Sequence, residues 1–288
     1  MNAQSLPQSR FEYVPPETPI VVIESSRNWR AFDVRPYWKH RELFYYLTWR
    51  DIKVRYKQTL LGVAWVILQP LLTTMIFTVF LGILARVPFQ GKSYALFVYA
   101  GLLPWTFFAS SVLASGGSLV GNTHLITKIY FPRLIIPASA TLARFVDFAI
   151  GVLILAGLMV LYRVPPQPTL LMLPVLAALL GLLSFAFGTL AAATNVRYRD
   201  VGVALPVLIQ LWMFVSPIVY PSTLVPERWR LLYSLNPMVG IVNNFRAAIF
   251  GEPFDWTALL ICVLVICALI LFSAYVFRRV EKTIADVI

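Results

Sequence analysis

Thr48-Trp-Arg-Asp-Ile-Lys-Val-Arg-Tyr-Lys-Gln58, running into the uncharged stretch Leu60–Leu84, decides the fold of this chain. Wound as a helix, the first part places Tyr45, Trp49, Ile52, Tyr56 and Leu60 on one stripe, with Arg50, Lys53 and Lys57 beside it. A helix of that kind lies flat on a membrane, rings toward the acyl chains and cations toward headgroups, before the chain turns and crosses. The apolar run that follows is long enough for a hydrocarbon core of roughly 30 Å. A basic approach to the first span places the amino terminus on the cytoplasmic side.

Composition agrees. The 288 residues are 59% hydrophobic and 13% charged, with 8 Trp, 13 Tyr and 20 Phe, too apolar for a soluble domain. The net charge of +11 fits basic membrane loops rather than a nucleic-acid surface. No short apolar core with a small-residue cleavage site stands near the start, so no signal peptide is expected. Cys262 and Cys267 fall on different helix faces and His40 and His124 stand far apart, which gives no metal-ligand set.

Apolar runs at about 60–85, 95–120, 138–162, 170–195, 202–221 and 255–277 predict six spans. With both termini cytoplasmic, eighteen of the 24 Lys and Arg face inward. The outward six are Arg86, Lys92, Arg163, Arg228, Arg230 and Arg246. The expected fold is therefore all-α and integral to the membrane. Six transmembrane helices per protomer are expected, with an amphipathic helix over 37–59 ahead of them and a spanning region over 60–277. Residues 1–36 read as a Pro-rich cytoplasmic arm with one candidate strand, Ile20-Val-Val-Ile23, and 278–288 as a cytoplasmic tail.

Between spans five and six, residues 222–252 are too apolar for a free loop and too broken by Pro and Arg for a span. Two short outer helices fit, one at about 224–234 and one opening at Asn236-Pro237, an N-cap followed by proline at the first helical position. They either dip into the outer leaflet and return or form an interfacial hairpin.

The spans carry one carboxylate, Asp147, three residues after Arg144. That spacing makes a helical ion pair, which either serves function or locks span three by its inner end. A membrane enzyme acting on polyprenyl-linked sugars needs clustered carboxylates or a nucleophile beside a base, and the spans supply neither. Small residues at Ala177, Gly181, Ser184, Gly188 and Ala192 allow close helix packing along span four. Trp65, Phe77, Phe80, Tyr99, Trp105, Phe108, Trp212, Phe214 and Tyr220 form either an interfacial belt or a pore whose ring faces suit the apolar faces of sugars.

The run Trp49-Arg-Asp-Ile-Lys-Val-Arg-Tyr-Lys-Gln-Thr-Leu-Leu-Gly-Val-Ala-Trp65, with Gln69-Pro70, resembles the permease subunit of bacterial ABC exporters of polysaccharides, the O-antigen, capsule and teichoic-acid group. So do Ala100-Gly-Leu-Leu-Pro-Trp-Thr-Phe-Phe108, Leu125-Ile-Thr-Lys-Ile-Tyr-Phe-Pro-Arg133, Asn195-Val-Arg-Tyr-Arg-Asp200 and Ser234-Leu-Asn-Pro-Met238, in the family's order. The resemblance covers roughly residues 40–277. It implies a homodimer in the bacterial inner membrane, with two copies of a cytoplasmic P-loop ATPase that carry the ATP and Mg. This chain has no G-x-x-x-x-G-K-[ST] loop and is expected to bind no cofactor.

By the same resemblance, 121–137 is the coupling loop, with Asn122, His124, Thr127, Lys128, Tyr130 and Arg133 as ATPase contacts. The helix at 37–59 is the interface helix, and 222–252 holds the outer gate helices. The expected cargo is a lipid-linked polysaccharide whose phosphates are drawn to Arg50, Lys53, Arg55 and Lys57. Another lipid or a drug is the alternative cargo, and lipid phosphates are an alternative partner for those four cations.

Overall fold

A computed structural model of the protein describes residues 35–57, 63–85 and 93–281. The Pro-rich arm with its candidate strand, the tail from Lys282, and the outward cations Arg86 and Lys92 lie outside the described residues. All regular elements among the described residues are helical.

Two helices precede the first span, α1 (Arg35–Lys39) and α2 (Arg41–Lys57). The first span is α3 (Val63–Phe77), which continues as a π-helical stretch, Thr78–Leu84. Next come α4 (Tyr94–Gly121), α5 (Thr123–Lys128), α6 (Ile135–Ala143) and α7 (Phe145–Leu161). A 3-10 turn at Pro168–Met172 leads into α8 (Leu173–Arg197), followed by α9 (Asp200–Val215). The chain ends with α10 (Glu227–Ser234), α11 (Pro237–Phe250) and α12 (Trp256–Glu281).

Five helical stretches among the described residues are long and apolar enough to cross a membrane: Ala64–Leu84, Tyr94–Gly121, Ile135–Leu161, Pro168–Arg197 and Trp256–Glu281. The fifth expected span, 202–221, is shorter than the sequence suggests. Its helix, α9, has 16 residues and stops at Val215. The next residue, Ser216, is extended, as a residue before proline prefers to be, and Pro217 cannot donate a helical hydrogen bond. The third span is not one rod either, because α6 and α7 meet at a break on Arg144.

Helix α4 is the axis of the bundle, with 78% of its most apolar window buried, against 6% for the first span. Its most extensive partner is α8. The small residues expected in span four make that contact close. A Cβ placed on Gly188 would sit 2.5 Å from Ser115 Cβ, and one on Gly116 would sit 3.1 Å from Ala191 Cβ. Backbones can approach this far only where side chains are nearly absent. Outside the α4–α8 pair, α11 is buried on nearly every side, against α12, α4 and α8.

Two apolar cores result. The larger joins α4, α7, α8, α11 and α12, with Ile209 of α9. The smaller gathers Leu47 of α2, Leu119, Ile126 of α5, Phe131, Ile135, Ile136, Val196 and Phe277 of α12. It closes the end of the bundle at which α2 and the α4–α6 loop lie, tying both to the last turns of α8 and α12.

Candidate functional site

At that end, α2 uses two faces. Leu47 and Thr48 are buried, with Leu43 and Phe44 packed beside them on the small core. Of the stripe expected to meet lipid, Tyr45 and Trp49 stay exposed, as does neighbouring Tyr46, while Ile52 and Tyr56 are half-buried and Leu60 lies outside the described residues. The four cations assigned to phosphates differ in their surroundings. Arg50 pairs with Asp51 at 2.8 Å, and Lys53 stands 5.3 Å from the Trp49 ring centre. Lys57 is exposed. Arg55 is drawn to Asp147 of α7, Nη2 to Oδ2 at 2.9 Å.

Asp147 is thus more than the partner of Arg144. Arg144 Nη1 lies 3.8 Å from Oδ2, and the Tyr56 hydroxyl donates to Oδ1. Burial, and then that hydrogen bond, hold the Tyr56 phenol well above its ordinary range. The expected pair within span three is a cluster joining α2 to α7. Local spacing could find Arg144, but Arg55 and Tyr56 lie some ninety residues away in sequence.

The loop after α4 presents a lip. Asn122 turns back, its Nδ2 donating to Ser118 O at 2.8 Å, and Ile126 anchors α5 in the small core. His124, Thr127, Lys128, Ile129 and Tyr130 point outward, Tyr130 with 82% of its surface exposed. Arg133 is half-buried, and its Nη1 donates to the backbone oxygen of Glu281 of α12.

The pore aromatics divide. Tyr99, Trp105 and Phe108 are buried inside the protomer, which corrects their expected place on a surface. The Tyr99 hydroxyl donates to Gly151 O at 3.0 Å. Phe108, Phe187 and Trp212 form a mutually edge-on trio, with centroids 4.8–5.8 Å apart, that holds α9 on α4 and α8. Such pairs add about 0.5–1.5 kcal/mol each beyond the area they bury. Trp65, Phe80 and Phe214 are exposed, while Phe77 and Tyr220 are half-buried.

The opposite end holds a residue the sequence misplaces. Arg246, counted as an outward cation, is 4% exposed in the middle of α11. Its Nη1 donates to Pro217 O at 2.7 Å, Nη2 to Ile218 O at 2.5 Å and Nε to Phe97 O at 3.3 Å. The guanidinium also stacks 3.5 Å from the Phe97 ring centre. Among the described residues no carboxylate stands within ion-pair distance of it. Carbonyl dipoles replace the counter-ion, and two of them belong to backbone that left the helix at Ser216. Asn236 completes this node. Its Oδ1 accepts from Met238 N and Trp212 Nε1, each at 3.1 Å, and its Nδ2 donates to Ser216 Oγ at 2.9 Å. The Tyr94 hydroxyl donates to Val219 O at 2.6 Å. A lone arginine in an otherwise apolar helical run is the sequence signal that marks this site.

The family model for the ABC-2 type transporter matches residues 42–250. The chain belongs to that family. Among its relatives, an O-antigen export system permease protein RfbA of Klebsiella pneumoniae is 27% identical over 248 residues, 86% of this chain and 95% of the relative. The protein of that name from Myxococcus xanthus is 27% identical over 84% of this chain and 93% of its own length. A polysialic acid transport protein KpsM of Escherichia coli is 25% identical over 69% of this chain and 78% of its own. An ABC-2 transporter chain with five such apolar stretches is a multi-pass membrane protein, and its place in the family is that of a transport subunit rather than an enzyme.

Proposed function

We propose that this chain is the membrane-spanning subunit of an ATP-driven exporter that carries a lipid-linked polysaccharide, of the O-antigen kind, out of the cytoplasm. It works as a homodimer in the bacterial inner membrane with two copies of a cytoplasmic P-loop ATPase, which hold the ATP and Mg. The observation that carries this reading is the similarity to O-antigen export permeases over nearly their whole length. The protomer crosses six times, with α9 and the non-helical residues after it as the fifth crossing. Both termini are cytoplasmic, an orientation supported by the inward bias of Lys and Arg, which strengthens once buried Arg246 leaves the outward set.

The exposed lip of His124, Thr127, Lys128 and Tyr130 docks the ATPase. What supports this role is an exposed aromatic and cation on a short helix whose other side is anchored in the small core. Movement of α5 passes through that core to α2 and α12. Helix α2 is the interface helix, with Arg50, Lys53, Arg55 and Lys57 drawing lipid phosphates to the entrance. Exposed Trp65, Phe80 and Phe214 offer ring faces to the glycan, and α10 and α11 form the outer gate.

The test is to tag the chain, extract it in mild detergent from its host and identify what co-purifies. A stoichiometric P-loop subunit, with ATPase activity in the complex and glycan export after reconstitution, is the expected result. A chain that purifies alone and stays alone after crosslinking refutes the reading.

A further inference from the structure

We infer that Asp147 is a latch: its carboxylate occupies the guanidinium groups that receive a lipid phosphate, and the arriving phosphate frees the end of α2 from α7. This deepens the entrance assigned under the proposed function and rests on that reading. The carboxylate is held through Oδ1 by the Tyr56 hydroxyl but loosely through Oδ2. Two guanidinium groups, Arg55 and Arg144, face its Oδ2 at 2.9 and 3.8 Å. The first contact is not aligned as a hydrogen bond, and Arg144 Nε and Nη1 have no hydrogen-bond partner among the described residues. The fork donors of a guanidinium match a phosphate in pairs, so a phosphate at the exposed Arg55 makes the aligned contacts that Asp147 does not. Access is open on one side, since the Arg55 side chain is 40% exposed and that of Asp147 only 14%.

Position gives the pairing its consequence. Tyr56 and Arg55 stand in the last turn of α2, beside the link into the first span, and Asp147 stands in the first turn of α7, just past the break at Arg144. A phosphate that takes Arg55 leaves Asp147 with Tyr56 and Arg144 alone, and the α2 end is released from one of its ties to α7. The ligand chemistry is a phosphate or pyrophosphate on a membrane lipid, with either the cargo carrier or a bilayer headgroup as its source.

The experiment uses the full exporter complex in nanodiscs, with Cys267 replaced by serine and spin labels on Val54→Cys and Ala149→Cys. Both label sites are exposed and outside the cluster. The label separation is read in phosphatidylcholine discs with polyprenyl pyrophosphate, with phosphate-free polyprenol, and in discs containing phosphatidylglycerol, while bound radiolabelled lipid is counted in the same samples. A longer separation with polyprenyl pyrophosphate but not polyprenol is expected, and Asp147→Asn should show it without ligand. Lengthening in phosphatidylglycerol alone supports a phosphate latch and assigns it to the headgroup. Pyrophosphate lipid that binds without lengthening the separation, where phosphatidylglycerol does not lengthen it either, overturns the latch and leaves the cargo reading intact. Failure of that lipid to bind removes the cargo reading, and the latch with it unless phosphatidylglycerol lengthens the separation. Should Asp147→Asn not assemble, Arg55→Gln takes its place, and a short separation in that assembled variant also overturns the latch.

Discussion

Gly101→Ala tests the packing around Arg246. The added Cβ would stand 2.5 Å from Arg246 Nη2 and 2.5 Å from Ile218 O, a backbone atom that has little room to retreat. An ordinary contact needs about an ångström more, and that displacement breaks the bond between the same two atoms. Overpacking costs about 1–3 kcal/mol. A hydrogen bond from a charged donor contributes a further ~1.5–3 kcal/mol. Alanine recovers about 1 kcal/mol of helix propensity. The net loss is about 2–5 kcal/mol, and the thermal midpoint in detergent should fall by about 5–15 °C on the usual scale for chains of this size. Gly117→Ala, in the same helix, meets nothing within 4 Å and is the control, with an expected change near zero or slightly stabilising. The assay is a thermal aggregation midpoint of the purified protein followed by size exclusion. Equal midpoints for the two variants would refute the close approach of α4 to the Ile218 backbone.

Three further outcomes are expected. Charge reversal at Lys128 together with Tyr130→Ala should sharply lower lipid-linked glycan export and ATPase co-purification while leaving the thermal midpoint near wild type, because both side chains are exposed; normal export with the ATPase bound would place the docking surface elsewhere. Asn236→Ala removes an N-cap and the ties to Trp212 and Ser216, for a loss of at least ~1 kcal/mol read as a lower midpoint. Phe108→Ala should destabilise by about 3–5 kcal/mol, as a buried ring does, whereas Phe214→Ala leaves stability unchanged and lowers export if its exposed ring meets the glycan; equal stability for the two would contradict the division of the rings into buried and exposed.

What the sequence makes legible is local chemistry. Asn236-Pro237 opens α11 as the cap rule requires, because capping depends on neighbours two residues away. In the small-residue series of span four, Gly188 lies close against α4 and Gly181 against Phe145 of α7, the close packing that their spacing predicts. Cys262 is buried as a small core residue should be, but Cys267, on another face of the helix, is exposed rather than in the core. Long-range partners are not legible. Arg55, assigned to lipid phosphates, Arg133, assigned to the ATPase, and Arg246, counted as outward, each find an acceptor between about thirty and 150 residues away, on an element that periodicity cannot bring near. The aromatics fail for a different reason. When every face of a helix is apolar, no polar face remains to say which ring is buried, and only the packed bundle separates Phe108 from Phe214.

The short α9 has a consequence for how the protein is built. Its 16 residues rise about 24 Å, less than a hydrocarbon core of roughly 30 Å, so in the proposed fifth crossing the non-helical backbone from Ser216 onward completes the passage. Backbone outside a helix needs outside donors at that depth. Arg246 supplies them to Pro217 O and Ile218 O, Tyr94 to Val219 O, and Asn236 reaches back to Val215 O. Of these donors, Arg246 and Asn236 lie later in the chain than the segment they serve. A ribosome delivering this crossing therefore delivers it unfinished. It can settle only after α11 has been synthesised and tucked in behind it.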